Sequence, residues 1–151
     1  MTGPEYRVYP LGDGVMSARV WCNPGAPVLV FAHANGFCAR AYDQMLALLA
    51  EHFEIIAPDL RGFGGSDCPE GAGTYDVDTL VGDFTGLLDT LGHEKAVFIG
   101  HDWGGILVWH AAMLAADRVQ GVIGVNTPHQ PRGAEAPTHY FREIGGEDHY
   151  I

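Results

Sequence analysis

The residues best placed to do chemistry lie together: Gly100-His101-Asp102-Trp103-Gly104-Gly105. An apolar, β-branched run (residues 96–99) precedes them and a second apolar stretch (residues 106–116) follows. The pattern predicts a strand, a sharp turn flanked by glycines, and a helix, the spacing G-x-Nuc-x-G that lifts one side chain above a sheet. Glycine is needed on both flanks because a Cβ there would meet the adjoining strand or helix. The nucleophile position holds aspartate, not serine. A carboxylate suits attack on a saturated, electrophilic carbon, leaving an ester between protein and substrate. The competing reading of Asp102 is a cap on the following helix, and the paired glycines favour the nucleophile.

Such a turn needs a sheet beneath it. Residues 28–31, 55–57, 96–99 and 122–125 read as short buried strands, nearly continuous in apolar residues and expected to be covered on both faces. Tyr42, Met45, Leu46 and Leu49 recur at helical spacing. Leu80, Val81, Phe84, Leu87, Leu88 and Leu91 do so more strongly, with Asp78 placed to cap that helix and Gly92 to end it. Residues 106–116 are apolar almost all round, as expected of a buried helix. Alternating strands and helices predict an α/β fold, a mostly parallel sheet with helices on both faces. Residues 6–9 and 15–21 would add an antiparallel edge. After Thr127 the prolines at 128, 131 and 137 interrupt any regular element.

Composition bounds the partners. The chain has 151 residues, 47% hydrophobic and 11% aromatic, enough for one soluble domain. A formal charge of −11 argues against nucleic acid, which is bound by lysine and arginine. No apolar run approaches a membrane span, and residues 1–6 lack a signal-peptide layout. Cys22, Cys38 and Cys68, odd in number and without metal spacing, predict reduced thiols in a cytoplasmic protein. His101, Asp102 and His129 at strand ends lack the spacing of a metal site, and no G-x-G-x-x-G follows a strand, so no metal or cofactor is expected.

Three blocks together resemble the α/β-hydrolase fold, and specifically its epoxide hydrolase branch. They are residues 31–37 (Phe-Ala-His-Ala-Asn-Gly-Phe), residues 57–67 beginning Ala-Pro-Asp-Leu-Arg-Gly, and the turn at 100–105, followed by Asn126-Thr127-Pro128-His129. The resemblance runs from about Val15 onward and implies the N-terminal part of that fold, with core at 1–131 and the start of a cap at 132–151. It implies that Asp102 opens an apolar small-molecule epoxide through a covalent ester. Water then hydrolyses the ester through an oxyanion held by the N–H of Trp103 and one from the loop after His33. The family pattern H-G-x-P is replaced by His33-Ala34-Asn35-Gly36-Phe37, so either Asn35 or Gly36 is the second donor. Phe37 and Trp103 are the implied substrate contacts, and Tyr150 the implied ring-opening acid, since a phenol keeps its proton at neutral pH.

His33 is expected to be a structural hydrogen-bonder, because histidine bases in this fold come late in the chain. Asp59, Arg61, Ser66 and Asp67 are expected to form a hydrogen-bonded loop, His110 to face solvent, and His52 and His93 to be solvated. The family's acid and histidine base would follow strands beyond residue 125. The chain alone is therefore expected not to turn over, and to self-associate or need a complementary chain. Haloalkane dehalogenase is the alternative enzyme, sharing an aspartate followed by tryptophan and an asparagine in the first loop. Asn126, where many dehalogenases carry an acid, speaks against it. A non-catalytic fragment is the third reading.

Overall fold

The structure, a computed structural model, describes residues 3–12, 14–127 and 129. Its strands are β1 (Glu5–Leu11), β2 (Gly14–Trp21), β3 (Val28–Ala32), β4 (Glu54–Pro58), β5 (Ala96–His101) and β6 (Val119–Val125). The helices are α1 (Asp43–Ala47), α2 (Val77–Leu91) and α3 (Trp103–Leu114). One six-stranded sheet runs in the order β1-β2-β4-β3-β5-β6. β1, β2 and β4 pair antiparallel, whereas β4, β3, β5 and β6 pair parallel. Each strand read from the sequence is present, the antiparallel edge included.

Helices lie on both faces. On one, α2 and α3 bury Leu80, Phe84, Leu87, Leu88, Leu107 and Val108 against Val30, Ile56 and Phe98. On the other, a 3-10 turn (Ala39–Tyr42) and α1 cover Trp21, Leu29, Phe31, Ile55 and Ala57. The periodicity at 42–49 therefore becomes a 3-10 turn and a short helix instead of one long helix. Two further expectations change. Asp76, not Asp78, caps α2: its backbone is extended and its carboxylate accepts the Thr79 N–H at 2.8 Å, while Asp78 sits in the first turn. Gly92 closes that helix in the left-handed conformation, as its position suggested.

The sheet is also not covered evenly. β3 and β4 are buried along nearly their whole length. On β6, Ile123 and Val125 remain 51% and 40% exposed, contrary to the two-sided burial expected of residues 122–125. Among the described residues no helix is long and apolar enough to cross a membrane. Cys22 and Cys68 are exposed and Cys38 is half-buried, all as free thiols.

Strand order sets where a site can form. The chain passes from β3 to β4 on one side, then crosses back to place β5 on the other side of β3. The loops leaving β3 and β5 must diverge there, opening a crevice at the carboxyl ends of these neighbours. Those loops carry Asn35 and Asp102.

Candidate active site

Asp102 occupies the turn between β5 and α3 with φ 54° and ψ −118°. A non-glycine residue there carries strain of order 1–3 kcal/mol, so its surroundings must enforce it. They do so through backbone bonds. The Asp102 N–H donates to Val125 O at 3.3 Å, and its carbonyl accepts from the Ile106 N–H at 3.1 Å and from Thr127 Oγ1 at 3.0 Å. Trp109 Nε1 holds Thr127 O in turn at 2.9 Å. The close approach of α3 leaves no room for side chains at the flanks. A Cβ on Gly100 would lie 2.2 Å from Gly104 O, and one on Gly104 would lie 2.3 Å from Ala32 O.

The strained backbone leaves the carboxylate exposed, with its two oxygens inequivalent. Oδ2 accepts from the Trp103 N–H at 2.6 Å and from the Asn35 N–H at 3.3 Å. Oδ1 has no hydrogen-bond partner among the described residues. The first amide belongs to the N-terminus of twelve-residue α3, whose dipole favours negative charge at that point. The second comes from a tight turn: Phe37 N–H donates to Ala34 O at 3.2 Å, and Gly36 supplies the positive φ of 73° that the third turn position needs. The N–H of a turn's second residue makes no bond within the turn, so Asn35 presents its amide to Asp102. Of the two amides weighed from the sequence, Asn35 is the one that faces the carboxylate, while Gly36 shapes the loop.

The other expected residues fall into distinct settings. Phe37 is 55% exposed at the rim of the crevice. Trp103 is half-buried, its ring packed against the α2–α3 side of the core. Tyr150 lies outside the described residues, as does the proposed cap at 132–151. His33 is fully buried; Nε2 accepts the Leu60 N–H at 2.9 Å, and Nδ1 lies 2.8 Å from Ala34 O, which makes it the protonated nitrogen. Burial holds its pKa below the ordinary histidine value. Asp59 is buried beside it, Oδ2 accepting from Ser17 Oγ (2.7 Å) and the Gly65 N–H (3.0 Å), and Oδ1 from the Ala39 N–H (2.8 Å). Arg61 grips Asp83 through two bonds of 2.8 and 2.7 Å, and Asp67 accepts the Val15 N–H at 2.8 Å. Ser66 Oγ donates to Asp59 O at 2.5 Å.

The remaining histidines are mixed. His52 is exposed as expected. His93 is half-buried 3.5 Å from Glu54, and His110 is half-buried with Nδ1 2.8 Å from Ile106 O, the carbonyl one turn earlier. Among the described residues no group of His, Cys, Asp and Glu is arranged to hold a metal ion.

One residue escaped sequence reasoning. The Tyr42 hydroxyl lies 3.0 Å from His101 Nδ1 and accepts the Ala34 N–H at 3.3 Å. The periodic pattern at 42–49 marked Tyr42 only as an apolar position, and nothing local signals a partner as far along the chain as His101.

Known proteins are similar to this chain. A family model described as the alpha/beta hydrolase fold matches residues 27–140. The chain is similar to epoxide hydrolase A of Mycobacterium tuberculosis, 45% identical over 130 residues that cover 84% of this chain and 40% of the relative. It is similar to the epoxide hydrolase of Caballeronia sordidicola, 35% identical over 94% of this chain and 44% of that one. The crystal structure of epoxide hydrolase A from Mycobacterium thermoresistibile superposes with a TM-score of 0.88 at 40% identity, covering 98% of this chain and 47% of that one. The chain thus spans less than half the length of these relatives. The matched residues include every element that builds the turn at Asp102 and the loop facing it, and the chain belongs to the alpha/beta-hydrolase fold family.

Proposed function

We propose that this chain carries the nucleophilic half of an epoxide-hydrolase site, with Asp102 as the nucleophile. The observation that supports it is the inequivalence of the two carboxylate oxygens. Oδ1, without a partner among the described residues, attacks a ring carbon of the epoxide. The carbon–oxygen ring bond breaks, its electron pair stays on oxygen, and an acid protonates that oxygen. Tyr150 is our candidate for the acid. Asp102 is then an ester whose carbonyl oxygen is Oδ2. When water adds to the ester carbon, negative charge develops on Oδ2, where the Trp103 and Asn35 N–H groups already point. Collapse of that intermediate releases the diol and restores the carboxylate. Phe37 and Trp103 would flank an apolar epoxide, and the free thiols fit a reducing, cytoplasmic setting.

No histidine among the described residues hydrogen-bonds the Asp102 carboxylate, and in this reading none of them is the base that activates water. The ester therefore accumulates on these residues. Incubating the chain with styrene oxide, and separately with 1-bromohexane, tests this by peptide mapping and halide assay. A single adduct on the peptide holding Asp102, formed faster from the epoxide than halide is released from the haloalkane, is the expected result. Faster halide release would favour a haloalkane dehalogenase, and absence of label from the peptide holding Asp102 would remove Asp102 from the role.

A further inference from the structure

We infer that Tyr42 is a positioning residue whose hydroxyl sets the Asn35 amide against Asp102, an inference that rests on the reading of Asp102 as nucleophile. Asn35 N–H to Asp102 Oδ2, at 3.3 Å, is the longer of the two contacts on that oxygen. Its two ends belong to separate chain segments, one leaving β3 and one leaving β5. The Tyr42 hydroxyl bridges those segments one residue before each end. It accepts from the N–H of Ala34, the residue before Asn35, and lies 3.0 Å from Nδ1 of His101, the residue before Asp102. A hydroxyl has one donor and two acceptor sites, so it accepts from Ala34 and donates to His101 together.

The ring is held in place. Its centroid lies 4.6 Å from Phe31, 6.2 Å from His101 and 6.5 Å from Phe37. The Arg19–Asp43 ion pair anchors the next residue to β2. Without the hydroxyl, the Ala34 amide loses its partner, and the turn at 34–37 loses its side-chain tie to the segment that carries Asp102. The consequence differs between the two chemical steps. Forming the ester uses Oδ1 and lowers the charge on Oδ2. Breaking it raises charge on Oδ2 and depends on both N–H groups. Tyr42 therefore acts on ester breakdown and leaves ester formation nearly alone.

The test uses hydroxylamine, which attacks an ester carbonyl without a protein base and gives the hydroxamate and the free alcohol. The chain is labelled with styrene oxide, freed of excess reagent, and treated with hydroxylamine. For Tyr42→Phe, which keeps the ring, cleavage slows roughly tenfold, short of the 100- to 1,000-fold typical of deleting a donor outright, while labelling stays within about twofold. His101→Phe, which removes the other end of the bridge, slows cleavage similarly, and the double variant is no slower than the slower single one. Cleavage of either single variant at the wild-type rate, or multiplicative slowing in the double variant, overturns the inference. A wild-type chain that takes no label at Asp102 instead overturns the nucleophile reading, so the two failures are distinct.

Discussion

Two neighbouring regions at the carboxyl end of the sheet treat their polar groups in opposite ways. Where the loops after β3 and β4 meet, His33 and Asp59 are buried and satisfied, each of Asp59's oxygens accepting hydrogen bonds and both His33 nitrogens engaged. At the turn after β5, Asp102 is exposed on a strained backbone with one oxygen unpartnered among the described residues. The first region resists change because every group has a partner. The second is held by its backbone so that its side chain can remain unsatisfied. Histidine and aspartate occur in both, so residue type does not separate frame from reactive group. Saturation does.

The frame should break hardest. Asp59→Ala strips acceptors from Ser17 Oγ and the Ala39 N–H, both buried, and from the Gly65 N–H. Stability should fall by about 3 kcal/mol, read from the denaturant midpoint. A loss comparable to that of an exposed-site change would mean that water replaces Asp59 at little cost.

His33 gives a smaller, pH-dependent effect. Burial lowers its folded pKa, so the unfolded chain binds a proton at higher pH than the folded one. The stability tied to neutral His33 is present in full above its ordinary pKa of about 6.5 and is lost as pH falls through the lower folded value. Protonation also removes the acceptor for the Leu60 N–H. Melting scans from neutral to acid pH should show this loss, and His33→Gln should flatten that limb without altering the slope above neutrality. An unchanged acid limb in the variant would place the titration elsewhere.

Asp102 should behave in the reverse sense, and by less. Glycine accepts φ 54° without strain, and against that relief of order 1–3 kcal/mol stand a few tenths for the lost cap and the added freedom of the unfolded chain. Asp102→Gly should therefore stabilise the fold by about 1 kcal/mol, seen as a higher melting midpoint. Destabilisation would mean that the carboxylate belongs to the frame.

The same contrast explains what could be read before the structure. The elbow is legible because its pattern is local: Gly100 and Gly104 flank Asp102 at fixed spacing, although only Gly100 is dictated by a contact close in sequence, Gly104 being needed where α3 meets Ala32 of β3. The strands are legible because covered strands are apolar throughout. The Asp76 cap was misplaced by two residues because two aspartates stand within one turn, and the choice depends on where the backbone becomes extended. Exposure of Ile123 and Val125 was not legible, since the composition of a strand does not reveal which of its faces another element covers. The choice of Asn35 over Gly36 required the turn geometry, and Tyr42 required the contact to His101 that joins the segment after β3 to the end of β5.

The central claim is that the unsatisfied carboxylate of Asp102 is the reactive group. Its most direct test is covalent labelling of the wild-type chain and Asp102→Gly side by side with styrene oxide, read by intact mass and peptide mapping. The wild-type chain should take an adduct on Asp102 beyond any on the exposed thiols, and the folded variant should take none on the corresponding peptide. A folded Asp102→Gly chain labelled on that peptide at the wild-type rate would contradict the account.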